Sequence, residues 1–285
     1  MKSFTLKDSV YLEGIGLHTG LKANITLKPA PPGSGIFFNR IDKSLLIPAK
    51  LENVISTKFS TNIAKNEIEV KTVEHLLSAL AGLHINNCEI LIDNIEVPIF
   101  DGSSSIYVEN ILKKGLKEQN SEQDILEIIK PIKYVCDYGF AELIPNQLKD
   151  VGLNINLESS FEGKYEDQDI KIKNLNGNYI DSISKARTFG FFQEIEYLKS
   201  LNLIKGGSLD NAIVIKDKKP LNKDGLRYKD ELMRHKVLDV VGDLYLSGYP
   251  IVGTYKGFKT GHFITFNLLK ELFKSKDNYK IHKIN

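Results

Sequence analysis

Three ionisable residues recur at intervals of four late in the chain: His235, Asp239 and Asp243. An α-helix turns ~100° per residue, so each step of four drifts by only ~40° and the three side chains share one stripe. An imidazole and a carboxylate at i, i+4 can both reach one metal ion. The opposite side of this segment carries Met233, Val237, Val240 and Leu244, an ordinary core face. A polar stripe usually faces water, but Leu232 and Leu246 fall inside its sector, with Leu238 and Gly242 on its border. The helix therefore reads as buried nearly all round, and burying an imidazole with two carboxylates is costly unless something binds them. His-x-x-x-Asp also arises often by chance. Spacing alone leaves a solvated stripe and a metal-ligand pair both open.

Glu74-His75, in Thr72-Val73-Glu74-His75-Leu76-Leu77, is a complement. In zinc hydrolases a glutamate beside a ligand histidine reaches the attacking water without binding the metal. The second histidine of that motif is missing, because position 79 is alanine. Glu74-His75 would then supply a base and one ligand, and His235 and Asp239 would complete three protein ligands with one position open. A capping-box glutamate followed by a surface histidine explains the dipeptide equally well. Gly14-Ile15-Gly16-Leu17-His18-Thr19-Gly20 has the wrong spacing for a dinucleotide loop and runs into a strand, which predicts a tight turn. Asp101-Gly102-Ser103-Ser104 reads as a helix cap. His84 and His282 read as packing or solvent-facing residues, and Cys88 as a buried, inert thiol.

Period-two alternation predicts strands at Ala23/Ile25/Leu27, Cys88/Ile90/Ile92 and Val151/Leu153/Ile155/Leu157, with a shorter apolar strand at Ile213-Val214-Ile215. Helices are predicted over residues 72–81, ending at Gly82, over 104–114, ending at Gly115, around Phe191/Ile195/Leu198, and over 229–246. Runs of strands interrupted by single helices make an α+β pattern. The polar stretch 114–124 reads as a linker, and the lysine-rich residues 274–285 as a solvated tail.

The chain has 285 residues, 42% apolar and 26% charged, an ordinary globular composition with material for two domains. Net charge is +2 and only four of the 38 basic residues are arginines, which argues against a nucleic-acid surface. Two cysteines cannot make a disulfide framework or a cysteine zinc site. With no apolar leader core and no run of ~18 apolar residues, a cytoplasmic protein without a transmembrane segment is expected.

Six motifs in order, Gly16-Leu17-His18-Thr19-Gly20, Thr72-Val73-Glu74-His75, Pro98-Ile99-Phe100-Asp101-Gly102-Ser103, Ala186-Arg187-Thr188-Phe189-Gly190, Arg234-His235-Lys236-Val237-Leu238-Asp239 and Gly261-His262, closely resemble the UDP-3-O-acyl-N-acetylglucosamine deacetylases, zinc amidases of lipid A biosynthesis. The resemblance runs from about residue 6 to 272 and is thin across 148–180. It implies two similarly layered α+β domains, 1–118 and 124–285, with the active site in the cleft between them. It also implies a strand–helix–strand insert, about 189–215, forming a hydrophobic passage. The implied metal ligands are His75, His235 and Asp239, for zinc or, by ligand type, iron(II). Glu74 is the implied general base, His262 the second catalytic group with Asp243 as its partner, Thr188 an oxyanion-binding hydroxyl, and Lys236 a cation near the substrate. Phe189, Ile195, Gly207 and Leu209 match passage positions. The implied substrate is an acylated UDP-sugar that loses its N-acetyl group to a monomeric enzyme. A zinc amidase for another N-acyl substrate and an inactive binding protein of the same fold are the alternatives.

Overall fold

A computed structural model describes residues 2–146 and 152–282. The first half is built on a five-stranded sheet in the order Val10–Ile15, Lys22–Pro29, Cys88–Ile92, Ile36–Arg40, Leu45–Pro48. All neighbours are antiparallel except Ile36–Arg40 against Cys88–Ile92. The alternation seen at Ala23, Ile25 and Leu27 follows from one face of this sheet being buried, all three at 1% exposure or less. Helices α1 (Glu74–Gly82) and α2 (Ser105–Lys114) accompany it.

The second half carries a seven-stranded sheet. Its centre is Ile251–Phe258, flanked antiparallel by Gly139–Ile144 and parallel by Leu153–Ser159 and Ile125–Ile128. Val151, expected to open one of these strands, lies outside the described residues. Helices α3 (Leu175–Ser182), α4 (Ile195–Ser200), α5 (Glu231–Tyr245) and α6 (His262–Phe273) complete an α+β architecture, as expected. Between α3 and α5, strand Phe189–Phe191 runs parallel to Ile213–Lys216 with α4 in the connection, a strand–helix–strand unit.

Two expectations fail. The polar segment taken as a linker forms strand Leu116–Glu122, antiparallel to Lys2–Leu6. Its polarity conceals a buried pairing: Gln119 accepts from Ser3 and Asn87 and donates to the Ala30 carbonyl. The lysine-rich tail forms strand Tyr279–His282, which closes a sheet edge against Ile125–Ile128. His282 meets Glu127 there at 2.5 Å. Residues 283–285 of that tail lie outside the described residues.

Helix ends were legible in part. Gly115 at φ 87° is the left-handed residue that ends α2. Gly82 is a glycine for another reason: a Cβ there would lie 2.1 Å from the Tyr179 ring, and the left-handed residue is His84. Thr72 does not cap α1; its hydroxyl donates to Glu96. The Asp101-Gly102-Ser103-Ser104 segment does serve the start of α2, with Asp101 Oδ1 accepting from Ser103 N and Ser103 Oγ from Ser105 N, and it does more: Ser104 Oγ donates to the His75 carbonyl and Asp101 binds Arg227. The glycines at 14–20 make the expected turn, with Gly16 and Gly20 hydrogen-bonded across it. Cys88 is fully buried, and burial pushes its thiol far above the ordinary range.

Candidate metal centre and active site

The centre of the molecule is a helix crossing. α1 from the first half packs on α5 from the second, and their apolar faces, Leu76, Leu77 and Leu80 on one and Val237, Leu238, Val241 and Leu244 on the other, are all buried in one continuous core. No residue of α5 is exposed, as its all-round apolar pattern predicted. The crossing is closest at Gly242, where a Cβ would lie 2.1 Å from the Glu74 carbonyl oxygen. Only glycine lets the backbones approach this far. Asp239 and Asp243, one turn apart on either side of Gly242, are thereby brought against Glu74 and His75.

Chain direction into α1 is set by strain. Thr72, β-branched, sits at φ 57°, a conformation costly for such a residue. It is held there by its N–H on Asn62 Oδ1 (3.1 Å) and its hydroxyl on Glu96 Oε1 (2.9 Å).

His75, His235 and Asp239 present ligand atoms that all lie within 4.8 Å of one another. Asp239 Oδ1 is 3.6 Å from His75 Nε2 and 3.4 Å from His235 Nε2, too far for good hydrogen bonds. Those separations match the edge of a tetrahedron with ligand bonds of ~2.0–2.2 Å, which is about 3.3–3.6 Å. Asp239 Oδ1 is buried with no hydrogen-bond partner, as a ligand atom facing a cation would be. His235 Nδ1–H donates to the Ala186 carbonyl at 3.0 Å, which fixes the tautomer that turns Nε2 toward the cluster. The two imidazoles meet edge to face at 4.9 Å. This donor set fits a divalent metal ion.

Electrostatics separate the acids from the bases. Burial pushes Glu74 up to about 7, against the pull of His262 and His75. His262 is the first residue of α6, not part of a loop; its Nδ1–H donates to Asp243 Oδ2 at 2.8 Å and its Nε2 lies 3.8 Å from Glu74 Oε1. Burial opposes its charged form, but Asp243, Glu74 and Asp239 together outweigh that and raise it to about 10. Burial lowers His235 to about 4. Asp239 is held well below the ordinary carboxylate range because His235, His75 and His262 overcome its burial. Lys236 is lowered by burial, with Asp239 opposing.

Of the remaining expected residues, Thr188 is half-buried, its N–H on the Gly102 carbonyl at 2.7 Å. The Phe189 ring lies 6.2 Å from the His235 ring, and Lys236 Nζ lies 5.9 Å above Phe189 while donating to Thr260 O. Ile195 is half-buried; Gly207 and Leu209 are exposed. These three lie farther along the strand–helix–strand unit, where the turn at 204–207 meets the glycine turn through Lys205 N to His18 O and Gly206 N to Leu17 O.

Sequence reasoning missed several contributors. Buried Thr61 donates its N–H to Glu74 Oε2 (3.0 Å) and its hydroxyl to Asp243 Oδ1 (2.6 Å), tying the two carboxylates together. Buried Glu96 accepts from His18 N, Thr19 N and the hydroxyls of Thr19 and Thr72. A cavity of about 180 Å³ beside the metal cluster is lined by Phe161, Phe189, Phe191, Lys164, Lys236 and Lys259, among others. Nothing in local pattern marks Thr61, Phe161, Lys164 or Lys259. A separate cavity of about 940 Å³ lies by the C-terminal end of α5 and includes none of the clustered residues.

Residues 3–274 match the family model described as UDP-3-O-acyl N-acetylglycosamine deacetylase. A UDP-3-O-acyl-N-acetylglucosamine deacetylase of Teredinibacter turnerae is 42% identical over 284 residues, 99% of this chain and 93% of the relative. Proteins of the same name from Saccharophagus degradans (43% identical) and Hahella chejuensis (42%) match over the same shares of each chain.

Proposed function

The chain belongs to the UDP-3-O-acyl N-acetylglycosamine deacetylase family, and from that premise we propose that it hydrolyses the acetamide of a UDP-3-O-(3-hydroxyacyl)-N-acetylglucosamine to acetate and the free amine, the committed step of lipid A biosynthesis. The observation that carries this reading is the pairing of a three-ligand cluster with a buried carboxylate, Glu74, poised near neutrality beside it.

His75, His235 and Asp239 would hold the ion, which we assign as zinc from the two nitrogen donors and one carboxylate. When bound, zinc polarises the carbonyl and acidifies a water. Glu74 accepts the proton of the attacking water, a task suited to a carboxylate raised to about 7. Thr61 N–H holds the other carboxylate oxygen, so Glu74 keeps one orientation. His262, charged through the neutral range and oriented by Asp243, aims Nε2 at the same space and supplies positive charge for the developing oxyanion. Thr188 is assigned to donate its hydroxyl to that oxygen. The leaving amine takes its proton from Glu74, which returns the one it accepted, or from His262.

The cavity lined by Phe161, Phe189, Phe191, Lys164, Lys236 and Lys259 is assigned to the nucleotide diphosphate, whose phosphates would take Lys164 from Glu194 (2.7 Å) and Lys259 from Glu162 (2.8 Å), the latter also lining the cavity. Phe189, Ile195, Gly207 and Leu209 are assigned to the acyl chain; their support is a run of half-buried and exposed apolar groups beginning next to His235. Division into units of residues 1–118 and 124–285 belongs to the same reading, supported by a five-stranded sheet drawn from residues 10–92 and a seven-stranded sheet drawn from residues 125–282; strand Leu116–Glu122 carries the first unit past residue 118. We assign the enzyme to the cytoplasm on the proposed UDP-sugar substrate; separately, among the described residues no helix is long and apolar enough to cross a membrane.

The test is metal analysis coupled to acetate release from the acylated UDP-sugar and from simple N-acetyl sugars, before and after chelation. Activity on the acylated UDP-sugar, lost on chelation and restored by zinc, is expected. Release from simple N-acetyl sugars alone would give another amidase, and no release from the metal-loaded protein would overturn the proposal.

A further inference from the structure

Glu231, the first residue of α5, is fully buried and accepts four hydrogen bonds. Arg187 supplies three, from its N–H (3.1 Å), Nε (2.9 Å) and Nη2 (3.1 Å), and the Arg227 N–H the fourth (2.5 Å). Arg187 Nη2 also donates to the Gly225 carbonyl (2.8 Å), so the guanidinium is saturated on that side. A carboxylate in the first turn of a helix is already favoured by the helix dipole and needs no arginine for that purpose. Two charges taken out of water are a poor way to add stability. Their neighbours supply a different reason for the pair.

One turn after Glu231, on the same side of α5, His235 donates its Nδ1–H to the carbonyl of Ala186, the residue before Arg187. The residue after Arg187 is Thr188. The arginine thus pins a three-residue segment whose first member orients a clustered imidazole and whose last carries the hydroxyl assigned to the oxyanion. A second arm closes the arrangement: Arg227 Nη1 donates to Asp101 Oδ2 (2.8 Å), Gly102 O accepts the Thr188 N–H (2.7 Å), and Ser104 Oγ donates to the His75 carbonyl (2.8 Å). The contacts form a ring from α5, through the segment at 186–188, to the loop at 101–104, and back through Arg227.

We propose that Arg187 and Glu231 are positioning residues for the deacetylation: their buried fork holds the Ala186 carbonyl on His235 and Thr188 over the metal cluster. The inference rests on the metal reading of His75, His235 and Asp239 given above. Without the fork, the Ala186 carbonyl moves off Nδ1 and the lone pair of Nε2 loses its fixed direction. Loss of such a supporting partner lowers metal affinity or activity by ~10–100-fold.

The test compares wild type with Arg187→Lys, which keeps the charge and loses the fork, and with Arg187→Met combined with Glu231→Leu, which leaves no unpaired charge and keeps an apolar fill. Gln119→Leu, which breaks a buried hydrogen-bond cluster remote from the site, calibrates what destabilisation alone does. Titration with cobalt(II) gives affinity and a visible spectrum that reports ligand geometry without any substrate, and acetate release gives kcat and KM. The expected result is cobalt affinity weakened by ~10–100-fold and an altered spectrum in both fork variants, with kcat reduced ~100-fold and KM nearly unchanged, while Gln119→Leu matches wild type. The doubly substituted protein carries the test if the lysine variant does not fold. Wild-type affinity and spectrum in a folded fork variant would overturn the proposal, whereas failure of wild type itself to bind cobalt would overturn the metal reading instead.

Discussion

Replacing Gly242 by alanine adds one methyl group at the point where α5 crosses α1. That methyl would lie 2.1 Å from the Glu74 carbonyl oxygen, whereas ordinary contact begins at 3.4 Å, so the backbones must part by about 1.3 Å. Two terms then compete in stability. Alanine gains ~1 kcal/mol of helix propensity over glycine, and overpacking costs ~1–3 kcal/mol, leaving a net loss of about 0–2 kcal/mol. The site has no such compensation. His75 belongs to α1, and Asp239 and His235 to α5, so parting the helices stretches the 3.6 Å separation of Asp239 from His75 toward a distance one ion cannot bridge. A misplacement of ~1 Å costs about 100-fold in rate. The expected variant is folded, with a melting temperature within a few degrees of wild type, reduced zinc affinity and kcat/KM lowered at least ~100-fold. Calorimetry, metal analysis at defined free zinc and acetate release check each term. A variant with full zinc and wild-type kcat/KM would refute the claim that this close approach assembles the site.

Glu74→Ala and His262→Ala should each reduce turnover by ~100- to 10,000-fold while zinc stays bound, because neither side chain is among the three clustered ligands; loss of zinc in either would reverse the assigned roles. The rate should fall on the acid side as Glu74, raised to about 7, takes up a proton, and on the alkaline side as His262, raised to about 10, loses one, with the bound cation shifting both limbs downward. Asp243→Asn removes the charge that most favours the imidazolium, so it should move the alkaline limb to lower pH, with a smaller change in the acid limb because Asp243 also helps to raise Glu74; an unmoved alkaline limb would assign that limb to another group. Each CH₂ removed from a buried part of the substrate's acyl chain should weaken binding by ~0.8 kcal/mol, about fourfold; affinity independent of chain length would end the assignment of Phe189, Ile195, Gly207 and Leu209.

The parts of the site that lie within one helix were legible because helical geometry is local. His235, Asp239 and Asp243 are aligned by a repeat of four, and the absence of any solvated sector on α5 follows from Leu232, Leu238 and Leu246 interrupting the polar stripe. The same holds for alternation at Ala23, Ile25 and Leu27 and for Gly115 as a helix end. Residues whose work is done across the chain were not legible. Thr61 joins Glu74 to Asp243, 182 positions beyond it, and Gln119 hides a strand in a stretch that reads as a linker. Glu96 gathers two loops through four donors, yet its own neighbourhood is an unremarkable Asn-Ile-Glu-Val.

What the order of amino acids determined alone was the menu: an amphipathic α5 with its polar line, a glutamate–histidine pair at a helix start, strands with one apolar face, and a run of motifs sufficient to identify a family. Tertiary structure decided which of these meet. His75 and His235 come together where Gly242 places no Cβ between α1 and α5, and the Glu74 carboxyl is raised to about 7 because that approach buries it, against the pull of His262. Side-chain periodicity depends on bond geometry a few residues long. Proton affinity and metal coordination depend on distances of a few ångströms between groups that only the packed core brings together.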